Sequence, residues 1–245
     1  MRRFVYAAAI LCFVGCISRG TETEEIPVPD VSLNDPAVVP ASRSSRWWIN
    51  RHNEKVNTVV YGQKIIFIGD SITQGFEGLE AWKALHTKYN HKITNLGFSG
   101  DKTEHVIWRL ENGEYPEGIN PEFVVLMIGT NNGNEPASTA AGIGKIIRLI
   151  NTNSPETRIL LFALLPRGSG INDPDTIRNY TVNAIIKNYD GFLNVTYIDM
   201  GTGFIKETGA LKKELFSDRL HLTREGYAVW KDIIIDAITK IDKHS

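Results

Sequence analysis

At residues 66–73 the chain reads Ile66-Phe67-Ile68-Gly69-Asp70-Ser71-Ile72-Thr73. The apolar start predicts a strand over residues 64–68, because a short apolar run bounded by turn residues is typical of a strand buried on both faces. Gly69 and Asp70 turn the chain, and Ser71 stands where a helix would begin. Such a turn pushes a serine hydroxyl out of the carboxyl edge of a sheet. An ordinary strand-ending turn would explain the same residues, so this stretch alone does not identify a catalytic serine.

The remaining folded part alternates apolar runs with amphipathic segments. Strands are predicted at 64–68, 93–96, 123–128, 159–165 and 195–198. Helices are predicted at 46–58, 80–89, after Asp101, around 143–150, at 175–189 and from Thr223 onward. Continuous apolar strands that alternate with helices are typical of parallel sheets covered on both faces. The pattern therefore predicts an α/β fold, a three-layer α/β/α sandwich with a five-stranded, mostly parallel sheet.

Composition excludes several classes of function. The 245 residues are 42% hydrophobic and 22% charged, as in an ordinary globular protein. With 27 basic and 28 acidic residues the net charge is −1, and no basic stripe is present, so nucleic acid is not an expected partner. The two cysteines, Cys12 and Cys16, lie near the N-terminus. The folded body is therefore expected to use no disulfide and no cysteine ligand for a metal.

The N-terminus resembles an export signal. Arg2 and Arg3 precede an apolar run over residues 4–17 that is too short to span a bilayer comfortably. The run contains Phe13-Val14-Gly15-Cys16, which resembles a bacterial lipobox, although Phe13 replaces the usual leucine. We therefore expect residues 1–16 to be a lipoprotein-type signal peptide ending at Cys16, which would carry the lipid. A soluble secreted protein and an uncleaved membrane anchor are the alternatives.

Residues 17–45 are polar and proline-rich, with few aromatic residues, and predict a flexible tether. Residues 46–245 would then form the single folded domain. This organisation predicts an exported bacterial lipoprotein of the cell envelope, periplasmic or on the cell surface. Membrane contact would occur only through the N-terminal lipid.

Several loops place candidate catalytic residues at the predicted sheet edge. Ser71, Gly100 and Asn131 each follow a predicted strand, and ligands of such sheets bind beyond the carboxyl ends of the strands. Asp218 and His221, three residues apart before the last helix, would supply a base for the Ser71 proton and a carboxylate to orient it. The N–H groups of Ser71 and Gly100 and the Asn131 amide would form an oxyanion hole. Each of these residues could instead be a cap or turn residue.

Taken together, the motifs resemble the SGNH (GDSL-type) hydrolases. They are Gly69-Asp70-Ser71, the loop with Asn95, Gly97 and Gly100, Gly129-Thr130-Asn131, and Asp218-x-x-His221, in the order of that family. Within it the chain most resembles the catalytic subunits of the platelet-activating-factor acetylhydrolase Ib group. That likeness is carried by His105–Glu114, Gly129–Asn132 and Leu164–Gly168.

The resemblance implies a flavodoxin-like SGNH fold, a Ser71–His221–Asp218 triad and an oxyanion hole from Ser71, Gly100 and Asn131. It implies no metal or other cofactor, and it suggests a homodimer. Ile72, Thr130 and Leu220 adjoin the expected catalytic residues and could form a small acyl pocket, unless they only pack beneath the loops. The prediction is a serine esterase that hydrolyses acetyl and other short O-esters of carbohydrates. Alternatives are a phospholipid or lysophospholipid acyl hydrolase and a non-catalytic glycan-binding lipoprotein.

Overall fold

The computed structural model describes residues 25–58 and 61–243. The predicted signal peptide and the predicted lipidation site Cys16 lie outside these residues. No helix in the described ranges combines the length and apolar character needed to cross a membrane.

Five strands and seven α-helices follow one another along the described part of the chain. The strands are β1 Ile65–Gly69, β2 Ile93–Gly97, β3 Phe123–Met127, β4 Arg158–Phe162 and β5 Val195–Ile198. The helices are α1 Arg46–Thr58, α2 Ser71–Gln74, α3 Glu80–Lys88, α4 Thr103–Arg109, α5 Pro136–Asn153, α6 Pro174–Ile186 and α7 Arg224–Asp242. A π-helical turn, Leu110–Glu114, continues α4, and two 3₁₀ turns flank β5, Lys187–Tyr189 and Gly201–Phe204.

The strands form one parallel sheet in the order β2-β1-β3-β4-β5. Helices α4, α5 and α6 pack side by side, whereas α3 packs against α7. Because parallel crossovers are right-handed, these two groups cover opposite faces of the sheet. Every residue of β1 and β3 is buried, which explains their unbroken apolar sequences. The predicted α/β fold with three layers is therefore confirmed, and the sheet is entirely parallel.

β4 ends earlier than its apolar sequence predicts. The predicted strand continued to Leu165, but the structure ends it at Phe162. The side chain of Asn183 accepts a hydrogen bond from Leu164 N at 2.8 Å and donates one to Leu164 O at 2.9 Å. The backbone of Leu164 therefore bonds a side chain of α6 in place of a neighbouring strand. A local apolar pattern cannot reveal this exchange of partners.

The segment 25–45, which we call the N-terminal strap, is packed on the domain and differs from the predicted flexible tether. Ala37 is fully buried, and its carbonyl accepts a hydrogen bond from Thr103 Oγ1 at 2.9 Å. Asp35 accepts one from Ser138 Oγ at 2.6 Å. By itself the segment has too little apolar surface to become ordered, which is why its sequence predicts a flexible tether. The strap is instead ordered by contacts with α4 and α5.

Candidate active site

Ser71, His221 and Asp218 form a continuous hydrogen-bonded chain. Ser71 Oγ lies 2.9 Å from His221 Nε2, and His221 Nδ1 lies 2.8 Å from Asp218 Oδ2. Because the carboxylate accepts the proton of Nδ1, Nε2 is left as the acceptor for the serine hydroxyl. The three side chains, predicted from two distant parts of the sequence, are thus brought together in the arrangement that activates a serine.

The Asp218 carboxylate is held by its own loop. Its Oδ1 accepts backbone hydrogen bonds from Leu220 N at 2.6 Å and from His221 N at 2.7 Å. Partial burial pushes the pKa of the Asp218 carboxyl upward, but hydrogen bonds from the His221 ring and from these N–H groups outweigh it and hold the pKa below its ordinary value. Asp218 therefore stays ionised while it orients His221.

The turn that presents Ser71 is closely constrained. Asp70 Oδ1 accepts a hydrogen bond from Ile72 N at 2.9 Å and so caps α2. Tyr227 of α7 donates its hydroxyl proton to Ile72 O at 2.8 Å. A Cβ on Gly69 would lie 2.4 Å from Met127 O, so only glycine allows β1 and β3 to approach this closely. Burial raises the pKa of Asp70 to about 7.

The predicted oxyanion donors lie on adjacent loops. Gly69 of β1 is in register with Gly97 of β2 and with Met127 of β3, and the three donors follow these positions by two to four residues. Within the ranges 25–58 and 61–243, neither Ser71 N nor Gly100 N has a hydrogen-bond acceptor. Asn131 donates one amide proton to Asp101 O at 3.0 Å, and in the same ranges its other amide proton has no acceptor. The three groups therefore have unused donors at one sheet edge.

The residues predicted for an acyl pocket are placed differently from one another. Ile72 is 2% exposed and belongs to the hydrophobic core. Thr130 Oγ1 is bonded by Asn179 Nδ2 at 3.1 Å, and Leu220 is half-buried against the core. A cavity of about 510 Å³ adjoins Ser71 and His221, but its walls come from other residues, among them Gly75, Leu79, Leu222 and Tyr227.

A second cavity, also of about 510 Å³, lies beyond Asp218. Its lining includes Ser169, Leu211, Lys213, Phe216 and Arg219, and it shares Ser217 with the first cavity. The Asp218 side chain is 55% exposed and that of His221 40% exposed. The triad thus lies at the surface between two depressions whose linings mix apolar and polar side chains.

A buried ionic network behind Gly100 was missed by the sequence analysis. Asp101 accepts hydrogen bonds from Trp48 Nε1 and Arg109 Nε, each at 2.8 Å. Arg109 also pairs with Glu114, whose other carboxylate oxygen lies 2.8 Å from His52 Nδ1. Four of these residues fall in segments that carry the family likeness or the predicted first helix. Arg109 lies 8 residues from Asp101 and 5 from Glu114, which matches no helical contact spacing. Trp48 and His52 lie 53 and 62 residues from their partners, so the network leaves no periodic signal in the sequence.

A buried nucleophile turn, a hydrogen-bonded Ser–His–Asp chain and free donors at the same sheet edge define a serine hydrolase. The family model for GDSL-like lipases and acylhydrolases matches residues 67–229. The chain is 36% identical over 202 residues to the human platelet-activating factor acetylhydrolase IB subunit alpha2, covering 80% of this chain and 86% of that protein. It is 36% identical over 185 residues to the alpha1 subunit of Pongo abelii, covering 75% of this chain and 78% of that protein.

Solved structures show the same fold. A GDSL-like lipase from Bacteroides thetaiotaomicron superposes with a TM-score of 0.65 at 20% identity, covering 78% of this chain and 97% of that one. The acetyl xylan esterase AlAXEase superposes with a TM-score of 0.59 at 25% identity, covering 71% and 98%. The chain belongs to the GDSL-like lipase/acylhydrolase family. It is a hydrolase, and the predicted SGNH resemblance is confirmed.

Proposed function

We propose that this protein is a serine esterase that removes acetyl groups from oxygen esters of carbohydrates. The observation that carries the proposal is the chain of hydrogen bonds from Ser71 through His221 to Asp218. Ser71 Oγ attacks the ester carbonyl carbon while its proton passes to His221 Nε2. The C–O bond to the sugar then breaks, and the sugar hydroxyl leaves with that proton. Water, deprotonated by His221, attacks the acetyl-enzyme, releases acetate and restores Ser71.

The developing oxyanion would be bound by Ser71 N, Gly100 N and Asn131 Nδ2. Fixed donors of this kind typically lower the barrier by about 2.7–4 kcal/mol each. They act without reorganisation because the register of β1, β2 and β3 holds their loops in place. Asn131 is held further by its hydrogen bond to Asp101 O.

The names of the relatives and the polar groups beside the triad support an acetyl group and a carbohydrate alcohol. Ile72 is packed in the core and the Thr130 hydroxyl is bonded to Asn179, and neither side chain is among those that line the cavity beside Ser71. The depressions beside the triad are lined by apolar and polar side chains, and the hydroxyl, lysine and arginine groups among them suit a polyhydroxy substrate. The similarity to AlAXEase, named an acetyl xylan esterase, agrees with this interpretation.

Acetate release from acetylated xylan, pectin and sialosides tests the proposal. We expect release by the parent protein and a loss of about 10⁵-fold or more for Ser71→Ala, because no other group can attack. Ser45→Ala is the matched control, since Ser45 is exposed and its hydroxyl has no hydrogen bond in the described ranges. No acetate from any glycan ester would contradict the carbohydrate assignment.

A phospholipid acyl hydrolase is the second candidate, because the curated relatives are named for platelet-activating factor. Nitrophenyl esters of increasing chain length separate the two functions. The carbohydrate proposal expects acetate to be cleaved fastest. Two results would favour the second candidate. One is faster cleavage of nitrophenyl octanoate than of nitrophenyl acetate, and the other is faster cleavage of an acetylated ether phospholipid than of every glycan ester.

The proposal places the enzyme outside the cytoplasm, on a lipid attached to Cys16. Its support is the sequence alone, namely Arg2 and Arg3, the apolar run after them and the lipobox-like end at Cys16. Mass spectrometry of the membrane fraction should find a lipid-modified Cys16 as the first mature residue. An unmodified N-terminus elsewhere would contradict the anchor without affecting the esterase.

A further inference from the structure

Arg43, on the N-terminal strap, reaches the loop that carries Gly100. Its Nη1 donates to Ser99 O at 2.7 Å and to Asp101 Oδ1 at 3.3 Å. A Cβ on Gly100 would lie 3.3 Å from the same Nη1, so the guanidinium lies directly against Gly100. Gly100 has φ +75°, a conformation that favours glycine. The strap thus places a positive charge at one of the predicted oxyanion donors.

The carbonyl that Arg43 bonds is chemically linked to that donor. Ser99 C=O and Gly100 N–H belong to one peptide group, and hydrogen bonds in a chain polarise each other. A guanidinium that donates to the carbonyl makes the N–H of the same peptide a stronger donor. It also fixes the orientation of the peptide, because rotation would break a charge-assisted bond. On the other side of the loop, Ser99 N donates to Gln74 Oε1 at 2.7 Å, which holds the preceding peptide to α2.

Asp101 extends the same support to a second donor. Its carboxylate is bonded by Arg43, Arg109 and Trp48, and its carbonyl accepts the hydrogen bond from Asn131 Nδ2. Arg109 and Asp101 are fully buried, whereas the Arg43 side chain is 31% exposed. Arg43 is therefore the solvent-reachable end of a network that touches both the Gly100 and the Asn131 positions.

We propose that Arg43 is a positioning residue for the oxyanion hole, acting through the Ser99–Gly100 peptide and through Asp101. The proposal rests on the proposed esterase function. Its consequence is that the N-terminal strap completes the active site, although the strap supplies no group that touches the reacting atoms. The interaction strengthens as negative charge develops on the oxyanion, so its loss should lower kcat and leave KM nearly unchanged.

Arg43→Ala should lower kcat for nitrophenyl acetate by about tenfold, with KM within about twofold, because it weakens a donor whose complete loss costs about 10²–10³-fold. Added guanidinium chloride at low millimolar concentration should restore part of this loss, since the guanidinium position is reachable from solvent. Arg43→Lys should retain more activity than Arg43→Ala. Arg46→Ala, an exposed arginine three residues away, is the matched control and should keep the parent kcat.

Backbone NMR tests the proposal without an activity assay. The ¹⁵N resonance of Gly100 should move upfield in Arg43→Ala, because its peptide carbonyl loses a charged donor, and it should stay in place in Arg46→Ala. A kcat within about twofold of the parent would overturn the proposal. So would a Gly100 resonance that does not move, or a loss of activity that appears only in KM. If the parent protein cleaves no ester, the proposed function fails, but the Gly100 resonance still decides the role of Arg43.

Discussion

Asp218 orients His221 although more than half of its side chain is exposed to solvent. The turn at Asp218 holds the carboxylate in position, because two backbone N–H groups bond Oδ1 and leave Oδ2 to accept a hydrogen bond from the imidazole. Its orientation is therefore set by the loop, and burial contributes little. An exposed carboxylate is screened by water, so its charge stabilises the imidazolium less than a buried one would.

Asp218→Asn should lower kcat by about 10³-fold, less than the loss of about 10⁴-fold seen for a buried triad aspartate. The asparagine oxygen can still accept from Leu220 N and His221 N, but its NH₂ group then faces Nδ1 and favours the wrong imidazole tautomer. Asp236→Asn, at an exposed site on α7, is the matched control for steady-state kinetics. Equal kcat values for the two variants would contradict the assigned role.

Asp70 should make the stability of the fold depend on pH. Burial raises its pKa from 3.8 to about 7, so between these values the folded state holds a proton that the unfolded state has released. This contribution to stability is present below about pH 4 and is lost as the pH rises through 7, by up to about 4 kcal/mol. Asp70→Asn, which keeps an oxygen for Ile72 N, should remove this dependence.

Urea unfolding of the parent and of Asp70→Asn at pH 5 and pH 8 measures the effect. The difference between the two proteins isolates Asp70 from the other titrating groups. If the parent protein loses no more stability than the variant between these pH values, Asp70 is ionised in the folded protein at both of them.

Among the elements, the sequence predicted those whose apolar pattern is local. β5 was predicted with its observed bounds, and Thr223 caps α7 as expected, through its Oγ1 and Gly226 N at 3.1 Å. The strap was mistaken for a tether because its order comes from distant partners. Ser138 and Thr103, which bond Asp35 and Ala37, are 103 and 66 residues away in sequence. The triad was predictable for a different reason, since each of its motifs is short and continuous.

Gly142→Ala should loosen the strap. In an exposed helix this change stabilises by about 0.5–1 kcal/mol, but here the new Cβ would lie 2.5 Å from Ala37 O and 2.6 Å from Thr103 Oγ1. We expect a net loss of about 1–3 kcal/mol, as for other overpacked sites. Thermal unfolding and limited proteolysis within residues 25–45 measure it.

Gly133→Ala is the control, because among the described residues a methyl group at this position would meet nothing within 4 Å beyond its own chain neighbours. The two variants should differ both in melting temperature and in the rate of strap cleavage. A Gly142→Ala protein as resistant to proteolysis as the parent would show that the strap does not depend on this close approach.

Across the whole molecule, α7 joins the core to the site. Trp230 is fully buried and stacks on Phe76 with ring centroids 5.3 Å apart, and Tyr227, one turn earlier, bonds the nucleophile turn at Ile72. The helix begins directly after the loop that carries His221. Packing on one face of the sheet therefore fixes the relative position of the base and the nucleophile.

Trp230→Ala should lower the free energy of unfolding by about 3–5 kcal/mol, a large part of the stability of an ordinary domain. Trp47→Ala is the matched control, since 44% of Trp47 is exposed, and we expect a loss below about 1 kcal/mol. Urea titration followed by far-UV circular dichroism compares the two. Similar midpoints would contradict the assignment of Trp230 to the core that supports the site.

The hydrogen bond between Ser71 and His221 joins residues 150 positions apart. A ribosome must therefore translate as far as residue 221 before nucleophile and base exist on the same polypeptide. A nascent or prematurely terminated chain that stops short of residue 221 has a nucleophile and no base to activate it, however well its early strands have formed.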